Sequence, residues 1–584
     1  MALLPVRSAA GPVTPDQAGR VARRVLPGAT LREETGAAFV MPDPIGHPVK
    51  GKGLPVMPGV TTSGDSSTVP YYVFDAPTGG FALVAADDAL PPVIAYSPRG
   101  DWPDGPLPEN LRAWMAAWQA AVMAAPGTVM PDPIGHPVKS KGLTPKVLET
   151  ANWNQTEPFN NACPVYGGKR AVTGCSAVAL GILMRYHRWP ESGHGTHPEY
   201  NYYVNYTING QSVVATAPAQ SFERTYHWDN MPLDVTSSTP SSAINEIASL
   251  LYDTAILAES WFGADGTPGF TSCLPVALCQ YMGYDAAMEE YHKSYYSDAQ
   301  WLQMIYDNID GCGPVLYSGQ SAQEGHAFII DGYDADGLLH INWGWGGHAN
   351  GFFAFPNFDN YTRDHAAILG ARPDRGGTPA VQLYVDKISE GNGLTCPDSR
   401  FSPGQRFEVS CRFLYNAGSR DFSGRIAFAR IDRDGKIAEI VSSEQSINLP
   451  SHGYISARAW CTVSEINFGD RICVVYRSGE ESAWTPAWGN NENGTAGELP
   501  LIDKQSLEEA TTYTFEKSTR RLHLKTKKYT VWTLSAPDGS TAAKGEANDG
   551  TLTLDTAAMP KATYTLRLSC GDELAGLQFI MGDK

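Results

Sequence analysis

Cys175 opens an apolar run, Ser176 to Met184, that reads as a buried helix with the cysteine in its first turn. The helix macrodipole places about +0.5 charge there, which favours a thiolate. A partner imidazolium would lower the thiol pKa further. On its own, a cysteine on an apolar helix reads as a core thiol. A second stretch changes that reading. Gly325-His326-Ala327-Phe328 begins a buried strand entered through His326, and Asn342-Trp343 opens the Gly-rich turn Gly344-Trp345-Gly346-Gly347. Cysteine, distant histidine and asparagine together can perform acyl transfer. The thiol attacks a carbonyl, and the histidine takes its proton and later gives it to the leaving amine. Asn342 can accept from the other ring nitrogen and hold the tautomer, with Trp343 covering that bond from water. Upstream, Gln155 can donate its amide to the developing oxyanion, with the Cys175 backbone N–H as second donor. Losing one such donor costs about 10²–10³ in rate.

Other polar clusters read as structure. His187, His194 and His197 supply no matching third ligand set for a metal. Asp331, Asp334 and Asp336 lack the full calcium loop with its terminal Glu and read as a hairpin turn. Cys273, Cys279 and Cys312 lack zinc spacing and read as core thiols or one disulfide. A bridge from Cys411 to Cys461 or Cys473 is open, since connectivity cannot be read from sequence. No metal and no cofactor is expected.

These residues must be held by ordered elements. Thr14 caps a short amphipathic helix over residues 15–27, YYVFDA and the run from Gly80 to Ser97 read as strands, and residues 107–124 form a helix opened by Pro108 and Glu109. Together they make a small α+β module. Residues 376–500 alternate apolar and polar in short runs separated by turns, which points to a β-sandwich. Residues 511–584 repeat the pattern as a smaller β-domain. Residues 41–53 and 130–142 are near-copies, MPDPIGHPVKGKG and MPDPIGHPVKSKG, of exposed-loop composition. They read as a duplicated linker or as paired processing sites.

With these pieces in hand, the chain resembles the streptopain family of papain-clan cysteine peptidases. The carriers are Asn154-Gln155 with Pro158-Phe159-Asn160, Thr173-Gly174-Cys175, Tyr186-His187 with Pro190, Gly325-His326-Ala327-Phe328 with Asp331-Gly332, and Asn342-Trp343-Gly344-Trp345-Gly346-Gly347. They fall in family order over roughly residues 143–372. The resemblance implies that Cys175 is the nucleophile and His326 the acid/base. It implies that Gln155 completes the oxyanion hole and that Asn342 and Trp343 position the histidine. It also implies a substrate cleft lined by a loop containing Gly266, Thr267, Pro268 and Gly269, with Gly325 touching substrate backbone. Residues 15–128 are similar to the family's pro-domain, which inhibits the enzyme until it is cut off. The last module is similar to type IX secretion sorting domains of Bacteroidetes, on Thr551-Leu552-Thr553-Leu554-Asp555 and Tyr564-Thr565-Leu566-Arg567-Leu568.

The expected architecture is α+β. It comprises an N-terminal segment and inhibitory pro-domain (1–142), a papain-like peptidase domain (143–375), an immunoglobulin-like β-sandwich (376–500) and a small β-domain (501–584). Composition agrees, since 584 residues allow about three to five domains. Acidic residues exceed basic ones, 62 against 44, for a net charge of −18, which argues against a general nucleic-acid binder. Residues 143–375 carry 24 acidic and 10 basic residues, so −14 of that charge sits there. A solvated acidic surface is the simplest reading. No apolar run is long enough to span a bilayer as a helix, and the start is too short for a signal-peptide core. The expectation is a secreted or surface endopeptidase made as a zymogen. Its partners are protein or peptide substrates and its own pro-domain, and its activating cut falls between about Lys139 and Ala151. The alternatives are an adhesion protein with an inactive peptidase-like domain, which would have lost its nucleophile or base, and another acyl transfer on the same triad.

Overall fold

The computed structural model describes residues 13–32, 71–87, 90–103, 111, 115, 143–208, 211–320, 325–355, 365–386, 393–489 and 497–580. The two near-copies and most of the expected helix over 107–124 lie outside them. The chain divides into two compact units, Met1–Ala380 and Val381–Lys584.

The first unit begins with α1 (Pro15–Val25). Thr14 accepts from the Gln17 N–H while the Gln17 side chain returns to the Thr14 N–H, and Pro15 occupies the first turn. Four strands follow: β1 (Thr30–Leu31), β2 (Tyr71–Asp75), β3 (Phe81–Ala85) and β4 (Val93–Ser97). Next come β5 (Lys146–Val147), β6 (Val165–Tyr166), β7 (Lys169–Arg170) and α2 (Cys175–His187). Four strands, β8 (Thr196–His197), β9 (Tyr200–Ile208), β10 (Gln211–Ala217) and β11 (Gln220–Ser221), form two small two-stranded sheets. Then follow α3 (Ser241–Leu257), α4 (Leu274–Met282), β12 (Glu289–His292), α5 (Asp298–Gly311), β13 (Val315–Gln320), β14 (Gly325–Tyr333), β15 (Leu339–Asn342), β16 (Gly351–Phe353) and β17 (Ala366–Leu369).

Among the described residues, eleven strands make one sheet in the order β1-β2-β3-β4-β16-β15-β14-β13-β17-β12, with β5 added on β14. Strands of the N-terminal segment thus continue the sheet that carries His326 and Asn342. The junction is antiparallel, pairing Phe352 with Tyr96 and Phe353 with Ala95. The Tyr96 ring stacks on Phe352 at 5.0 Å, and its hydroxyl donates to Asp334. Burial and this carboxylate push the phenol pKa up.

The sheet has a core on each face. On one face α2, α3 and α4 pack as a helical layer around Val178, Leu180, Ile182 and Leu251. Ser176 to Met184 are buried without interruption, as expected for a helix apolar on all sides. On the other face α5 packs with Trp301 and Ile305, and Phe81, Leu83 and Ile94 of the N-terminal strands join Phe328, Ile341, Trp343 and Phe353. Full burial of a side chain such as Phe353 contributes about 1.5–3 kcal/mol.

The second unit is mostly β. Strand Arg406–Asn416 alternates buried and outward residues, as its sequence predicts, and joins Leu383–Val385, Leu394–Thr395 and Tyr454–Thr462 in one sheet. A second sheet centres on Phe422–Ile431 and Arg471–Arg477. Val409, Cys411, Phe428, Cys461 and Val474 share one core. Residues 512–580 form two further sheets around Leu522, Leu534, Leu554 and Leu566. All ten cysteines are free thiols, so no bridge spans the sandwich. Among the described residues, no helix is long and apolar enough to cross a membrane.

Candidate active site

Cys175 is the first residue of α2, and Gly174 before it has φ +91°, a left-handed value that an L side chain rarely adopts. A Cβ on Gly174 would lie 2.4 Å from the Thr267 carbonyl oxygen. Glycine therefore brings the 263–269 loop directly against the turn that presents the thiol. No side chain caps this helix end. The first-turn N–H groups have no intrahelical partners and can serve the reacting centre.

The loop is stapled in place. Thr267 Oγ1 donates to the Val172 carbonyl at 2.7 Å and accepts from the Gly263 N–H at 3.0 Å. Ser176 Oγ donates to the Gly269 carbonyl, and the Trp261 N–H donates to the Pro268 carbonyl. Gly266 stands at the open side, where an added Cβ would meet nothing within 4 Å. The four loop residues named from the sequence are thus assembled beside Cys175.

The histidine strand meets the cysteine from the sheet side. The Ala327 N–H donates to Cys175 Sγ at 3.4 Å, so buried His326 precedes the amide that touches the thiol. Gly325 pairs with Gln320 at the start of β14. Helix N-terminus and backbone amide both place positive dipole ends at this sulfur. Four other thiols have different surroundings. Burial pushes Cys163, Cys273, Cys411 and Cys461 up to about 12, which keeps them protonated.

Gln155 reaches the site through its backbone: its carbonyl accepts from the Thr173 N–H at 3.0 Å, two residues before Cys175. Two residues further back, the Trp153 carbonyl accepts from the Gly346 N–H. Residues 153–155 therefore tie the cysteine turn to the Asn342–Gly347 turn. Asn342 is buried opposite Ile329 of β14. Its Nδ2 donates to Thr150 Oγ1 and to the Ala151 carbonyl, both at 3.0 Å, and its Oδ1 accepts from the Gly344 N–H at 3.1 Å. Trp343 is buried between Phe328 and Phe353, with its Nε1 donating to the Ala349 carbonyl.

Sequence reasoning missed Thr150 and Ala151, which lie inside the window expected for the activating cut. It also missed Thr271, whose hydroxyl bonds Glu290 at 2.6 Å and Ser318 at 3.3 Å. Ser318 lies opposite Ala327, so this polar trio walls the sheet beside the site. Asp334 and Asp336 form the turn read from the sequence, with Asp334 Oδ1 accepting from the N–H groups of Asp336 and Leu338, whereas Asp331 lies within β14.

Residues 153–353 match the Peptidase C10 family model, and residues 10–122 match the Spi protease inhibitor model. Residues 153–353 thus form a peptidase C10 region within the chain. The chain's fold class is α+β, papain-like in the peptidase region and all-β at the C-terminal end. The thiol protease/hemagglutinin PrtT of Porphyromonas gingivalis is 31% identical over 337 residues, covering 53% of this chain and 38% of that protein. Streptopain of Streptococcus pyogenes is 28% identical over 347 residues, covering 56% and 82%. A solved fragment of Prevotella intermedia prointerpain A is 27% identical, covers 53% of this chain and 97% of that one, and has a TM-score of 0.45. The chain thus spans well under half the length of PrtT.

Proposed function

We propose that this chain is a secreted cysteine endopeptidase made as a zymogen and activated by its own cleavage. The observation that carries the reading is the Cys175 sulfur, held at a helix N-terminus with the Ala327 N–H upon it and His326 next in the chain. Cys175 Sγ attacks the peptide carbonyl as His326 takes the thiol proton, giving a tetrahedral oxyanion. Gln155 and the Cys175 N–H bind that oxygen. His326 returns the proton to the amine, the C–N bond breaks, and an acyl-enzyme remains. Water, deprotonated by His326, then attacks the thioester and frees the acid and the thiol. Asn342 and Trp343 position the imidazole. Gly325 and the loop Gly266-Thr267-Pro268-Gly269 hold substrate backbone. Residues 1–142 act as the removable inhibitor, 143–375 as the enzyme, 376–500 as a β-sandwich and 501–584 as a sorting module for export.

Peptide-library digestion by the processed protein tests the reading. Hydrolysis that needs a reductant and vanishes in Cys175→Ala is expected. Equal cleavage by the alanine variant would refute it.

A further inference from the structure

We infer that Thr150 and Ala151 are positioning residues for Asn342, so that the segment just behind the activating cut forms part of the active site. The inference rests on the peptidase reading above.

The orientation of the Asn342 amide decides whether it offers the imidazole an acceptor or a donor. Two groups of fixed polarity settle it. The Ala151 carbonyl can only accept, so the atom facing it at 3.0 Å is Nδ2. The Gly344 N–H can only donate, so the atom facing it at 3.1 Å is Oδ1. A flipped amide would make both contacts repulsive in a buried place. Oδ1 is therefore the acceptor that an imidazole N–H requires.

Thr150 reinforces this through a polarised chain of bonds. Its hydroxyl has one proton, and that proton goes to Asp331 Oδ2. The Thr150 oxygen is thereby left as an acceptor for Asn342 Nδ2 at 3.0 Å. The other Asp331 oxygen meets His340 Nδ1 at 2.5 Å. Asp331 is buried, so its carboxylate takes its stabilisation from these neighbours. Backbone pairing fixes Thr150 in turn. Gly332 and Tyr333 of β14 pair with Val147 and Lys146, and the Leu148 N–H donates to the Asp331 carbonyl at 2.8 Å. A Cβ on Gly332 would lie 2.4 Å from the Lys146 carbonyl, so only glycine permits this approach. Residues 146–151 are thus built into the enzyme. The activating cut falls before Lys146, and a cut beyond Thr150 destroys the site it should release.

Thr150→Val keeps the shape and removes the hydroxyl, and Thr150→Ser returns it. The activated full chain is assayed for each, with Cys175→Ala as control and thermal melting to confirm folding. Thr150→Val is expected to lower kcat about tenfold with KM unchanged. It also moves the alkaline limb of the pH–rate profile to lower pH, because the imidazolium loses part of its fixed acceptor. Thr150→Ser restores both. A folded Thr150→Val protein with parental kcat and pH profile overturns the inference, as does equal impairment of the serine variant. A parent whose hydrolysis survives Cys175→Ala overturns the peptidase reading itself, and this inference with it.

Discussion

Two polar clusters built on buried charges, one in each unit, are arranged differently. In the first unit His340, Asp331, Thr150 and Asn342 form an open chain that ends on an amide beside the histidine strand. In the second unit Arg430 closes on three carboxylates, with Nη1 on Asp470 at 2.7 Å, Nη2 on Glu465 at 3.1 Å and Nε 3.5 Å from Glu439. That cluster fastens neighbouring strands and loops of the sandwich and leads to no reactive group. A buried charge can thus serve either to orient something else or to hold its own surroundings. The distinction lies in what stands at the end of the chain of bonds.

Arg430→Ala sharpens the contrast most. It leaves Asp470, which is 2% exposed, with its Asn467 hydrogen bonds but no cation, and should cost the second unit about 3 kcal/mol. Peptide hydrolysis in the first unit should stay at the parental rate. Denaturant unfolding paired with an activity assay reads both quantities, and lost hydrolysis at intact stability would erase the distinction. Gln155→Ala should do the reverse, lowering kcat about 10²–10³-fold with unchanged melting. A Gln155→Ala enzyme of parental kcat would remove the glutamine from the oxyanion hole.

A smaller effect concerns His187, at the end of α2. Burial lowers its pKa from the ordinary 6.5 to about 4. Between those values the unfolded chain binds a proton that the folded chain does not. Stability contributed by this residue is therefore present above pH 6.5 and is lost as pH falls toward 4. His187→Gln should flatten the stability–pH curve in that window by up to about 1.4 kcal/mol per pH unit. Urea titrations at pH 6.5 and 4.5 measure it, and parallel curves for parent and variant would refute the half-buried neutral histidine.

Much of the site was legible because its signals are local. The apolar run after Cys175 marks a buried helix, His326 stands on the strand that its flanking residues foretell, and Asn342, read as opening the Gly-rich turn, is the last residue of β15. The sandwich shows in the alternation of Arg406–Asn416. Thr150 was not legible, because the asparagine it holds is 192 residues away and a lone threonine before an alanine carries no pattern. Thr267 was read as a substrate contact, and its hydroxyl proves to staple the loop to Val172. The joining of β4 to β16 also escaped the sequence, since edge pairing depends on register between segments far apart.

The central claim is that one thiol of ten is the nucleophile. Limited alkylation of the activated enzyme, followed by peptide mapping and residual-rate measurement, tests it most directly. The account predicts that Cys175 is modified first and that activity falls in step with its modification, one equivalent for complete loss. Full hydrolysis after quantitative modification of Cys175, or inactivation tracking another cysteine, would contradict it.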